Sequence, residues 1–192
     1  IDEIFKRCQK TPSTRAYLSK VLIEHYSDFN VVGNDEIFVH LVKGYIDVAA
    51  FPSAESKQLR AVANTIAVYT RGRTFEPLTV GSLGDLNAIE AKYTLVVLFD
   101  RSAKKKELEL IYNFGKSYER KGLQVCAIRI EGDTTALHAG HMTSWVQLDA
   151  DREIKDELYM KKSLMLVLLD RDKKILARDI TLDFLIDTIN LW

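Results

Sequence analysis

The residues with chemistry to offer cluster in "FDRSAKKKELELI", residues 99–111, where an apolar, strand-like run ends and a helix begins within a few positions. Ligands of α/β sheets collect beyond the carboxyl ends of strands, so Asp100, Arg101 and Ser102 line the expected pocket. As a catalytic set they lack an identifiable base or nucleophile, and Asp100 or Ser102 acting as a helix N-cap accounts for the same residues. Lys104, Lys105 and Lys106 fall in the first turn of the helix, where positive charge costs from a few tenths to about 1 kcal/mol. Free N–H groups and ammonium groups at a helix start suit a carboxylate or phosphate, which makes Lys104 and Lys105 candidate anion ligands beside Asp100, Arg101 and Ser102. The plainer reading is a solvated turn whose lysines pair with Glu107 and Glu109 at i,i+3 and i,i+4. The lack of a Gly-rich cradle favours it.

Metal and sulfur chemistry have thinner support. His138 and His141, in "HAGH", have a spacing that metal sites use, with Asp133 nearby as a third ligand. Two histidines and one loose carboxylate fall short of a site, so neither metal nor cofactor is expected. His25 and His40 read as histidines hydrogen-bonded at the edge of a core. The two cysteines, Cys8 and Cys126, are separated by more than half the chain and form no CxxC or CxxH, so neither a zinc site nor a redox pair is legible. Cys126 lies inside the strand-like "LQVCAIRI", where a thiol behaves as a small buried hydrophobe.

Composition narrows the function classes. The 192 residues are 47% hydrophobic, ample for a packed core. Lys plus Arg and Asp plus Glu both total 27, and no basic block points to nucleic acid or an anionic membrane surface. No segment approaches the roughly 20 apolar residues of a spanning helix. The chain opens at Ile1 and reads as trimmed, so a preceding signal or anchor would not be visible.

Periodicity divides the chain at about Gly72, into a helical domain over 1–72 and an α/β domain over 73–192. In the first, Thr11 and Pro12 open a helix whose apolar stripe is expected at Tyr17 and Val21, with Leu18, Leu22 and Tyr26 on its edge. Asn34 opens a second helix facing inward through Ile37, Leu41, Tyr45 and Val48. A third, over 54–70, uses Leu59, Val62, Ile66 and Tyr69. Beyond Gly72, "KYTLVVLF" (92–99) reads as a strand covered on both faces. A helix over 103–120 follows, with Leu108, Ile111, Gly115 and Tyr118 on one stripe and Leu110 and Phe114 beside it. Gly122 stops it before the strand "LQVCAIRI" (123–130), and strand, helix, strand implies a parallel pair. Short helices near 134–140 and 152–159 flank an extended "WVQLD". "SLMLVLLDRDKKILARDI" reads as a hairpin turning at Asp170–Lys173, and a helix over 181–191 closes the chain. The order βαβ, helix, hairpin, helix is the thioredoxin arrangement.

The segments "NDEIFVHLVKGYI", "AKYTLVVLFD", "KSYERKGLQVCAIRI" and "VLLDRDKKILARDI" are similar to the helical signature, first central strand, crossover and closing hairpin of one family. The chain resembles the TlpA/ResA-like thioredoxin-fold proteins of Gram-negative envelopes, in the branch with a helical domain of unknown function before the thioredoxin domain. Active members carry Cys-x-x-Cys at the helix start, where the helix N-terminus stabilises the thiolate. The resemblance puts Asp100 in the acidic place before that motif, Ala103 where the attacking cysteine would stand and Lys106 where the resolving one would stand. It puts Leu164 in the place of the cis-proline. A non-proline cis bond costs about 2.5–4 kcal/mol, so a trans bond is expected there.

With both sulfurs missing, the resemblance implies a redox-inactive binding or scaffold module that recognises a protein, peptide or small ligand. The helical domain would add to that surface or form a homodimer contact. The enzymatic alternative is a divergent thiol-disulfide oxidoreductase or peroxidase using Cys8 or Cys126. A periplasmic or lipid-anchored location is implied by the resemblance alone.

Overall fold

The structure, a computed structural model, describes residues 1–29, 31–47, 49–77, 86–130 and 145–190. The chain divides into two compact units, Ile1–Thr70 and Arg71–Trp192.

The first unit is helical: α1 (Asp2–Arg7), α2 (Pro12–His25), α3 (Asn34–Tyr45) and α4 (Ser53–Ala67). Thr11 sits at the N-cap of α2 with Pro12 following, as the sequence predicts. The inward face of α2 is not the expected one. Tyr17 is 67% and Val21 39% exposed, while Ser19 and Ile23 are buried. Hydrogen bonding decides this, because the Ser19 hydroxyl donates to the Tyr45 carbonyl (2.9 Å) and accepts from the Asp47 N–H (3.2 Å). A small side chain that satisfies two backbone groups at the end of α3 outweighs the apolar stripe.

In α3 the buried face is Phe38, Leu41 and Val42, with Asn34 and Asp35 buried in the first turn. Ile37 and Tyr45 lie at its margin rather than its centre, and Val48 is outside the described residues. Asn34 donates its amide to the Asp28 carbonyl at 2.8 Å, which ties the helix start to the preceding turn. In α4, Ile66 is buried with Ser56 and Ala63, and Leu59 and Val62 are only partly covered.

The second unit is built on a mixed five-stranded sheet in the order β3-β2-β1-β4-β5. The strands are β1 (Tyr93–Phe99), β2 (Leu123–Ile130), β3 (Val146–Ala150), β4 (Leu164–Leu169) and β5 (Ile175–Arg178). β1 pairs parallel with β2, and β2 parallel with β3. β4 runs antiparallel to β1 and to β5. From Thr94 to Phe99 every residue of β1 is buried, as a central strand covered on both faces must be.

The crossover from β1 to β2 contains α5 (Lys105–Tyr118) and a 3-10 turn over Glu119–Lys121. Leu108, Ile111, Phe114 and Gly115 face the sheet, whereas Leu110 is 50% exposed. Gly115 permits that approach, since a Cβ there would lie 2.5 Å from Val125 Cγ2. Gly122, at φ 86°, ends the crossover in the left-handed region.

Among the described residues two short helices follow the later strands, α6 (Ile154–Glu157) after β3, shorter than the expected 152–159, and α7 (Leu182–Asn190) after β5. The helix expected near 134–140 lies outside the described residues. The open side of β5 is bordered by the chain entering the unit: Gly72 N–H reaches Ile175 O (2.7 Å), Ile175 N–H reaches Arg73 O (2.8 Å) and Phe75 N–H reaches Lys173 O (2.9 Å). Such pairing blunts an edge strand.

The hairpin turn holds a residue the sequence gives no reason to single out. Lys173 adopts φ 59° and is 5% exposed. Its ammonium donates to the Ile89 carbonyl at 2.7 Å and the Thr94 hydroxyl at 3.3 Å, pinning the turn to the segment that feeds β1. Burial pushes its pKa down from the ordinary lysine value, partly offset by Asp170 and Asp172. Among the described residues no helix is long and apolar enough to cross a membrane.

Candidate functional site

The junction of β1 and α5 is held by Asp100, and its bonds define what the place can do. Its N–H donates to Ser163 O at 3.0 Å, extending the β1–β4 pairing by one residue. One carboxylate oxygen accepts the Ser102 N–H at 2.7 Å, and the backbone carbonyl accepts the Ala103 N–H at 3.0 Å. The other carboxylate oxygen is paired with the Lys155 ammonium, brought in by α6. Both side chains are largely covered, Asp100 at 13% exposure and Lys155 at 28%.

The expectation that Asp100 or Ser102 caps the helix is therefore corrected. α5 begins at Lys105, its N-cap is Lys104, and no side chain caps it. Asp100 instead closes a side-chain turn over residues 100–102 of the kind short polar acids favour, and an ion pair fixes it there. Lys155 is 55 positions away and has no sequence signal of its own.

Arg101 and Ser102 stand exposed on the turn. Lys104 and Glu107 lie 3.6 Å apart, Lys105 and Glu109 3.8 Å apart, all on the solvated side of α5. That is the i,i+3 and i,i+4 pairing of the plainer reading, worth little in water. Ala103 is partly covered just before the helix, and Lys106 is exposed in its first turn. Leu164 opens β4 opposite Phe99, and no cis peptide occurs among the described residues.

Beside the junction lies a groove of about 420 Å³ that the sequence reading does not anticipate. Leu110 and Ile111 of α5, Leu164 and Leu166 of β4, and Ile180 and Leu182 at the entry to α7 form its apolar lining. Its rim carries two ion pairs, Lys104 with Glu107 and Lys162 with Asp179 at 3.7 Å. Asp179 holds φ 49°, a left-handed conformation that Asp tolerates better than most residues. The one sequence clue was Leu110, an apolar residue placed beside the predicted stripe rather than on it.

The two thiols lie elsewhere. Cys126 is fully buried in the middle of β2, in register with Val96 on one side and Val146 on the other. Cys8 is the C-terminal cap residue of α1 in the other unit, and neither thiol is in a disulfide. Neither occupies a helix N-terminus, the setting that stabilises a thiolate.

His138, His141 and Asp133 lie outside the described residues, and among the described residues no cluster is suited to a metal ion. His40 bonds the Asp2 carboxylate and packs edge-on against Tyr45; His25 packs edge-on against Tyr26. Hydrogen bonds from His40 and Tyr45 hold the Asp2 pKa below the usual carboxylate range. The same contact raises that of Tyr45.

Comparison with solved structures decides the architecture. A thioredoxin-like protein from Bacteroides caccae superposes with a TM-score of 0.59 at 15% identity, over 94% of this chain and 77% of its own. A domain of a possible thiol-disulfide isomerase from Cytophaga hutchinsonii gives 0.52 at 22% identity, over 63% of this chain and 91% of its own. The fold is thioredoxin-like. The thioredoxin domain of a thiol-disulfide oxidoreductase from Bacteroides vulgatus agrees, with 0.50 at 18% identity over 64% of this chain and 96% of its own. No protein-family model matches the chain, and no curated protein matches it in sequence. At these identities the likeness is one of fold.

Proposed function

We propose that this protein is a redox-inactive thioredoxin-fold module that binds or scaffolds a partner in the bacterial envelope. One observation carries the reading. At the start of α5, where members of the resembled family keep their dithiol, stand Ala103 and Lys106, and the unit's own thiol, Cys126, is fully buried in the central sheet. Disulfide exchange needs a thiolate with access to its substrate. The apolar groove beside the same helix supports a binding role, because such concavities at strand ends are where ligands collect. Placement in the TlpA/ResA-like branch, export or lipid anchoring, and a helical unit that extends the surface or forms a homodimer contact rest on the sequence resemblance.

Alkylation of the native protein tests this reading. Cys126 is expected to stay unlabelled until the unit unfolds, and Cys8 to react no faster than a thiol in a short peptide. Rapid labelling of either thiol in the folded state favours the divergent thiol-disulfide oxidoreductase or peroxidase, which would have to work through Cys8 or through an opened Cys126. Anion binding at Lys104 and Lys105 would instead show as a salt-sensitive thermal shift with phosphate that disappears in a Lys104→Ala/Lys105→Ala variant.

A further inference from the structure

We infer that the cavity between the second half of α5, the start of β2 and Trp145 binds a free α-amino acid with a short aliphatic side chain. Its volume is about 230 Å³, room for roughly eight waters at ~30 Å³ each and so for a molecule of about that many heavy atoms. The cavity shares no residue with the junction or the apolar groove, so nothing in it depends on the redox reading above.

A nearly buried donor points to a ligand. Trp145 is 6% exposed, and among the described residues its indole N–H has no acceptor. A tryptophan covered to that degree ordinarily finds one. The little of Trp145 left open includes that nitrogen, which sits beside Gly115 on the cavity wall, 3.9 Å from where a Cβ would stand. The Tyr112 ring, 6.0 Å from that of Trp145 and tilted by 40°, walls the same space, and the buried Leu123 floors it.

The mouth of the cavity supplies two opposite charges. Lys116, near the end of α5, and Glu119, at the start of the turn that follows, both border it and are exposed. Among the described residues neither is in an ion pair, whereas Lys104 and Glu107, at the same spacing, lie 3.6 Å apart. Side chains three positions apart on a helix stand about 5–6 Å apart at Cβ, close enough for one zwitterion to meet both. Its carboxylate takes the Trp145 N–H and the Lys116 ammonium, its ammonium faces Glu119, and its side chain lies over Leu123. A lone anion gains Lys116 but is opposed by Glu119, and a lone cation meets the reverse.

The test follows the Trp145 indole N–H in the nitrogen-15-labelled full chain, told from that of Trp192 with a Trp192→Phe variant. L-Leucine is expected to move it downfield saturably. Isopentylamine, which is leucine without its carboxylate, and glycine, which lacks the side chain, should each bind about tenfold more weakly or worse. 4-Methylpentanoate, which is leucine without its ammonium, should bind about threefold more weakly. That last ratio should vanish in Glu119→Gln, a change at an exposed position that leaves the backbone spectrum in place. 4-Methylpentanoate as tight as leucine in the wild type overturns the inference in favour of a plain carboxylate site, and isopentylamine as tight as leucine overturns it in favour of an apolar pocket. A ratio that Glu119→Gln leaves unchanged overturns the place given to the ammonium. An indole resonance unmoved by every probe overturns the inference outright.

Discussion

Lys155→Met asks whether Asp100 is a structural fastening or a ligand-binding group. In the folded protein one Asp100 oxygen accepts the Ser102 N–H and the other meets the Lys155 ammonium. Removing the ammonium leaves a carboxylate at 13% exposure with one of its two partners. A hydrogen bond to a charged group is worth roughly 1.5–3 kcal/mol. Lys155 keeps 28% of its side chain in solvent, so water replaces part of the loss and about 1–2 kcal/mol is expected. Asp100→Asn should cost about 1 kcal/mol, because the amide oxygen can still accept from Ser102 while the charge attraction is gone. The two changes share one interaction, so the double variant should fall short of their sum by about 1 kcal/mol. Urea unfolding of the wild type, both single variants and the double variant yields that coupling. A coupling near zero, or an Asp100→Asn protein more stable than wild type as expected when strained binding groups are removed, would refute the fastening argument.

Lys173→Met should cost roughly 1–2 kcal/mol by removing the ammonium that joins the Ile89 carbonyl to the Thr94 hydroxyl, the carbonyl keeping only the Ala91 N–H at 3.2 Å, read by the same denaturation. Because burial lowers the Lys173 pKa, the unfolded chain binds more protons between that lowered value and the unfolded value of about 10.4. Wild-type stability should therefore rise with pH across that window, and the slope should be smaller in Lys173→Met; identical slopes would contradict the burial argument. Gly115→Ala places a Cβ 2.5 Å from Val125 Cγ2, so either the Val125 side chain or α5 must shift at a cost of about 1–3 kcal/mol, and an unchanged melting temperature would refute the close approach.

The sequence carried the α/β unit far better than its site. β1 was legible because "YTLVVLF" is an unbroken β-rich apolar run, β2 because the largely apolar "LQVCAIRI" follows Gly122, and their parallel pairing follows from the helix between them. Helix faces were harder. The inward face of α2 is set by Ser19 hydrogen bonding to Tyr45 and Asp47, contacts across 26 and 28 positions that periodicity cannot see. At the site, the pairing of Lys104 and Lys105 with Glu107 and Glu109 was readable because it is local to one helix turn. Asp100 was expected to cap a helix, yet its partner Lys155 comes from a different helix. The groove is assembled from α5, β4 and the start of α7, none of which announces it alone. Lys173 was legible as a turn residue, but its burial depends on the distant acceptors Ile89 and Thr94.

The most direct test of redox inactivity is turnover of a protein disulfide by the purified native chain with excess dithiol, beside Cys8→Ser and Cys126→Ser variants. A redox-inactive module gives a native rate equal to that of the dithiol alone and unchanged in both variants. A native rate above that background, abolished by either serine substitution, would contradict it.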